Sequence, residues 1–157
     1  MFKYGIDHLT VAVAIAIANG TEMAIVDTQA QDKVKVCRKK VEIMAASDKA
    51  VYGINTGFGP LCDVQITPEQ TSKLQENLLI THAVGVGNPI DKKLSKIMMI
   101  CKVHALCQGF SGVRLELIER ILFFIDNDLL PVVPEQGSVG ASGDLAPLAH
   151  LFLPLLG

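Results

Sequence analysis

Gly137-Ser138-Val139-Gly140-Ala141-Ser142-Gly143-Asp144-Leu145-Ala146-Pro147-Leu148-Ala149-His150 is the stretch on which the reading of this chain turns. Glycine recurs at positions 137, 140 and 143, and an apolar run follows from Leu145. Glycine has no Cβ, so this spacing suits a tightly bent backbone. The segment therefore reads as a loop that feeds a helix starting near Leu145. It is neither the Gly-x-Gly-x-x-Gly dinucleotide fingerprint nor a P-loop, which needs a closing Lys-Ser or Lys-Thr. The alternative to a plain glycine-rich turn lies in Ala141-Ser142-Gly143. In a compressed turn the Gly143 amide nitrogen can approach the Ala141 carbonyl carbon and close a five-membered ring. Loss of that oxygen and of the Ser142 hydroxyl as water leaves an exocyclic methylidene on an imidazolone. Asp144 can accept a proton during this maturation, or it can cap the following helix.

Working outward, Pro131 and Pro134 force an extended connection into this loop. Before it, Ser111 is placed as the cap of a helix over about 112–128. Leu117, Ile118, Ile121, Leu122, Phe124 and Ile125 make that helix apolar around most of its circumference, as in a centrally buried helix. Glu116 and Arg120 offer an i,i+4 pair on its remaining face. Asp91 caps a helix running to about Gln108, with Gly109 as its stop. Thr67-Pro68-Glu69-Gln70 has a cap residue, proline at the first helical position and an acid in the first turn. That helix carries Leu74, Leu78 and Leu79 and reaches about Val84, where Gly85-Val86-Gly87-Asn88-Pro89 ends it. A helix from about Thr28 to Ser47 and another over Val11–Ala18, between Thr10 and Asn19-Gly20, complete the count. Around 49–63 the chain is irregular, with three glycines and a proline inside Tyr52-Gly-Ile-Asn-Thr-Gly-Phe-Gly-Pro60. The class is mainly α.

Composition narrows the function. The chain has 157 residues, half of them apolar, a net charge of -2 and no Trp. Mean hydropathy is +0.38, which places an aliphatic core in a globular domain. No basic excess points to nucleic acid. The apolar run Val11–Ala18 is too short for a bilayer, which needs about 20 residues, and no membrane association is expected. Cys37, Cys62, Cys101 and Cys107 suit a reducing, cytoplasmic setting rather than a disulfide frame. Cys101, His104 and Cys107 span too wide a helical arc to converge on one ion, so no metal is expected and core packing is favoured. His8 is read as a surface residue. The apolar run Leu145–Gly157 at the C-terminus suggests a truncated chain whose further residues cover this surface.

Three motifs carry a family resemblance. Gly137–His150, Tyr52-Gly-Ile-Asn-Thr-Gly-Phe-Gly59 and Gly109-Phe-Ser-Gly-Val-Arg114 resemble those of the aromatic amino acid ammonia-lyases, from about Leu9 to Gly157. The resemblance implies the N-terminal portion of a large helical-bundle lyase fold. Residues 1–157 then form the N-terminal part of one larger domain, in a protein that is a homotetramer when complete. It also implies a methylidene-imidazolone (MIO) cofactor built autocatalytically from Ala141, Ser142 and Gly143, with no external cofactor. Tyr52 is implied as the base that removes a β-proton, so that ammonia leaves and an α,β-unsaturated acid remains. A free tyrosine has a pKa of about 10, so its phenolate needs cationic or hydrogen-bonding company from beyond this stretch.

Thr81-His82 falls at the family's selectivity position and is similar to the histidine ammonia-lyase branch. An imidazole there can hydrogen-bond the imidazole of L-histidine as donor or acceptor. The implied reaction is conversion of L-histidine to urocanate, the entry to histidine catabolism. A tyrosine- or phenylalanine-directed lyase or aminomutase is the alternative within the family. A catalytically silent fragment that serves only folding or assembly is the alternative outside enzymology. His150 belongs to the long motif and receives no chemical role.

Overall fold

The computed structural model describes residues 1–157, apart from the side chains of Pro60, Pro68 and Ser142. The chain divides into two compact units, each built from two separate stretches of sequence.

The first unit comprises Met1–Lys39 and Pro89–Val133. Its helices are α1 (Val11–Ala18), the first part of α2 (Thr28–Ala45), α4 (Lys92–Leu106) and α5 (Leu115–Asp126). A minimal parallel pair, β1 (Phe2–Lys3) with β2 (Ala24–Ile25), ties down the N-terminus. Helix starts follow local chemistry. The Thr10 hydroxyl accepts from the Val13 N–H, and the Asp91 carboxylate accepts from the Lys93 N–H. Asp27 accepts from the Ala30 N–H at 3.0 Å, and that bond, with Lys3 nearby, holds its carboxyl below the usual range.

Helix α4 packs on α1 and α5. Its buried residues Met99, Ile100, Val103 and Leu106 meet a core that includes Ile17, Ile118, Ile121 and Ile125. Each such side chain contributes about 1.5–3 kcal/mol by leaving water. Gly5 lies so close to α4 that a Cβ there would overlap the Cys107 carbonyl, and its φ of +74° is itself a glycine conformation.

Two sequence expectations need correction in this unit. The last helix begins at Leu115 with Arg114 at its N-cap, not at 112 after Ser111, because Gly112 takes a left-handed φ of +64° that cannot enter a helix. That helix is also one-sided. Ile118, Ile121 and Ile125 are buried, while Phe123 is exposed beneath the Arg120 guanidinium, 5.9 Å from the ring centroid. Among the described residues no ion pair joins Arg120 to Glu116.

Cys101, His104 and Cys107 do not form a metal cluster, and no group of potential ligands does so among the described residues. Cys107 is buried and its thiol is pushed up to about 12, which keeps it protonated. Cys101 is exposed, and His104 Nδ1 accepts from the Gly5 N–H at 3.2 Å. His8 is exposed, as expected.

The second unit comprises Lys40–Asn88 and Pro134–Gly157. It contains the end of α2, the irregular loop, α3 (Pro68–His82), α6 (Leu145–Phe152) and a closing 3-10 turn. Helices α3 and α6 pack together. Thr67 and Gln70 form a reciprocal capping box at the start of α3. The helix ends at His82, two residues short of the expected Val84. The glycine- and proline-rich stretch beyond it is a strand, β3 (Val86–Pro89), paired with β4 (Pro134–Gln136). Among the described residues no helix is long and apolar enough to cross a membrane.

Candidate active site

All the residues singled out from the sequence for chemistry belong to the second unit. Tyr52 sits on the irregular loop, which a buried side chain organises. Asn55 is 4% exposed. Its Oδ1 accepts from the Val51 N–H at 2.7 Å, and its Nδ2 donates to the Lys49 carbonyl at 3.0 Å. The backbone bridge between Thr56 and Gln65 closes the loop. Tyr52 itself is 62% exposed and meets Phe58 edge to face, with ring centroids 5.8 Å apart. Asn55 was not singled out from the sequence. Its only signal was a polar residue inside an otherwise glycine-rich motif.

Thr81 and His82 lie in the last turn of α3 and touch one another. The Thr81 hydroxyl donates to the Asn77 carbonyl at 2.7 Å. His82 Nδ1 is 2.8 Å from the Leu78 carbonyl and 3.2 Å from Thr81 Oγ1. A carbonyl oxygen can only accept, so Nδ1 carries the proton. In the neutral ring Nε2 then keeps its lone pair as an acceptor. The Thr81 hydroxyl is thus engaged by its own helix and by the His82 ring.

Gly140–Ser142 form one 3-10 turn, and Gly143 follows in the left-handed region at φ +84°. The Gly143 N–H folds back to the Gly140 carbonyl at 3.2 Å, and the Asp144 N–H reaches the Val139 carbonyl at 3.3 Å. Ala141 and Gly143 are exposed, and no heavy atom lies within 4 Å of where a Cβ on Gly143 would sit. The side chain of Ser142 lies outside the described residues.

Asp144 corrects one expectation. It precedes α6, but its side chain makes no capping bond, and its own φ is +56°. Its carboxylate instead accepts from the Ser138 hydroxyl, six residues back across the loop. The loop is thus bent at two successive left-handed residues and clasped at its base.

Tyr52, Thr81–His82 and the 140–144 turn are three separate pieces of local structure. Among the described residues no hydrogen bond, ion pair or ring contact joins Tyr52 to either of the other two. No cationic group is bonded to its hydroxyl among those residues.

A family model for the aromatic amino acid lyases matches residues 9–157. The chain belongs to that family. Histidine ammonia-lyase of Streptococcus gordonii is 44% identical over 151 residues, which are 96% of this chain and 29% of that protein. The crystal structure of histidine ammonia-lyase from Trypanosoma cruzi superposes with a TM-score of 0.87 at 33% identity, over 99% of this chain and 30% of that one. Tyrosine aminomutase from Streptomyces globisporus gives a TM-score of 0.90 at 28% identity, over 99% of this chain and 29% of that one. The chain therefore spans about 29% of the length of the relatives it matches. Its mainly helical architecture is that of the N-terminal part of this lyase fold.

Proposed function

We propose that this chain is the N-terminal part of one larger domain of an ammonia-lyase that converts L-histidine to urocanate and ammonia. The observation that carries the reading is the turn at Gly140–Gly143. There the Gly143 amide is folded back onto the Gly140 carbonyl, and the space that a Cβ on Gly143 would occupy is open. These residues fit a methylidene-imidazolone made from Ala141, Ser142 and Gly143. Only glycine leaves its nitrogen unshielded at such a φ, and the exposure of Ala141 leaves room for a substrate. Once formed, the group supplies an electrophilic carbon for the substrate's α-amino group. Asp144, the residue after Gly143, is held by Ser138 and supports maturation as a proton acceptor. Tyr52 takes the β-proton on its phenolate oxygen as ammonia departs. Its exposure suits contact with groups from outside this chain that stabilise the phenolate.

Substrate choice rests on His82. With Nδ1–H committed to Leu78, Nε2 accepts the N–H of an incoming imidazole. The complete protein is proposed to be a cytoplasmic homotetramer, whose remaining chain and neighbouring subunits supply the carboxylate-binding and base-supporting groups. The likeness to a tyrosine aminomutase favours a second reading within the family, a tyrosine- or phenylalanine-directed lyase or aminomutase. A panel of L-histidine, L-tyrosine and L-phenylalanine on the complete enzyme separates the two.

The test of the central claim is the intact mass of the purified protein beside Ser142→Ala. Cyclisation expels two waters, so the native protein should weigh about 36 Da less than its sequence requires. That deficit should map to the peptide holding Ser142. A full mass in the complete, assembled protein would refute the electrophile and with it the lyase mechanism.

A further inference from the structure

We propose that His150 is a positioning residue that sets the end of α3 carrying Thr81–His82. This rests on the lyase reading for its catalytic meaning, while its geometry stands alone. His150 Nε2 accepts from the Gly85 N–H at 2.9 Å, across 65 positions of sequence. An amide can only donate, so Nε2 is the unprotonated nitrogen and the ring is neutral.

The contact is close on every side of Gly85. A Cβ there would lie 3.1 Å from the Gln136 carbonyl oxygen, 3.1 Å from Pro134 Cβ and 3.2 Å from His150 Cδ2. Gly137 presses from a further direction, since a Cβ on it would come within 3.1 Å of Gly85 Cα. The residue three positions after His82 is thus pinned between β4 and α6. Helix α3 has no further turn in which to absorb movement, because Ala83 has already left helical geometry at ψ 62°.

His150 lies on α6, the helix that leaves the Ala141–Gly143 turn. One imidazole therefore references the substrate-selecting imidazole, His82, to the helix anchored at the electrophile-forming loop. Without the bond, the part-buried Gly85 amide loses its acceptor and the 83–85 linker can shift. His82 then loses its register while its own bond to Leu78 persists. The expected kinetic signature is in substrate binding more than in turnover.

Three substitutions in the full chain test this. His150→Phe keeps a ring and removes the acceptor. His150→Gln places an amide oxygen near the Nε2 position. His150→Asn is too short to reach. Hydrogen exchange of the peptide covering Leu78–Gly85 should quicken about tenfold in H150F and H150N, as expected for loss of one hydrogen bond. It should stay near native in H150Q. In the complete enzyme, KM for L-histidine should rise about tenfold in H150F and H150N, with a smaller change in kcat and recovery in H150Q.

Unchanged exchange in H150F, or failure of H150Q to protect the peptide, would overturn the clasp. Should H150F not fold, the H150Q and H150N pair carries the same contrast. Altered exchange with native KM in an active enzyme would overturn the positioning role. A parent enzyme that ignores L-histidine would refute the lyase reading instead, and the exchange result would still decide the clasp.

Discussion

At the scale of the residue, His82 illustrates how a backbone contact assigns a side chain its chemistry. The Leu78 carbonyl fixes the proton on Nδ1 and so makes Nε2 an acceptor. His82→Leu in the complete enzyme should lower kcat/KM for L-histidine by about tenfold to a hundredfold, the effect of one buried hydrogen bond. The loss should be smaller for L-phenylalanine, which has no ring N–H to offer. Steady-state kinetics with both substrates checks this. Tyr52→Phe keeps the ring that meets Phe58 and removes only the oxygen. Turnover should fall by about 10²–10⁴, the usual share of a positioned base, with the intact mass unchanged from the parent. The types and order of these residues were legible in the sequence because each belongs to a local motif. The role of Asp144 was not. A carboxylate one residue before a helix looks like a cap, and only its left-handed backbone turns it away, toward Ser138.

At the scale of the element, legibility followed range. The start of α3 was readable because Thr67, Pro68 and Gln70 satisfy one another within four residues. Thr67→Ala removes the hydroxyl that accepts from the Gln70 N–H at 3.3 Å. It should cost about 1 kcal/mol in denaturant unfolding without altering the slope. By contrast, Val86–Pro89 reads in isolation as a helix-ending turn. Its strand character comes from β4, some 45 residues later, and no local pattern announces that partner. The late start of α5 shows the converse. Ser111 is a good cap residue, but Gly112 beside it is already committed to a positive φ. The apolar periodicity of α5 was visible, whereas its one-sided burial depended on which neighbours it met.

At the scale of the whole molecule, stability should depend on a histidine of the first unit, which carries none of the residues proposed for chemistry. Burial, reinforced by nearby His8 and opposed by Asp7, holds His104 below the ordinary imidazole value of 6.5. The folded state therefore binds fewer protons at this site than the unfolded chain does. Its contribution is complete above 6.5 and is lost as pH falls from there through the depressed folded value. The direction agrees with the Gly5 N–H, which needs an unprotonated Nδ1. Tm should decline as pH is lowered through that window. His104→Asn, whose oxygen lies near the Nδ1 position, should flatten the decline. Scanning calorimetry of both proteins across the window is the check.

The alternation of the two units along the chain was invisible in composition and motif alike, and it bears on how the molecule is made. The partner of α3 is α6, and about sixty residues separate them, most of them the other unit's stretch that holds α4 and α5. A ribosome adding about 5–20 residues per second takes about 3–12 s to cross that gap. Throughout it, α3 is without α6, the helix it packs against. Newly made chains should therefore pass through a stage that holdase chaperones recognise, and slowing synthesis between 83 and 145 should prolong it.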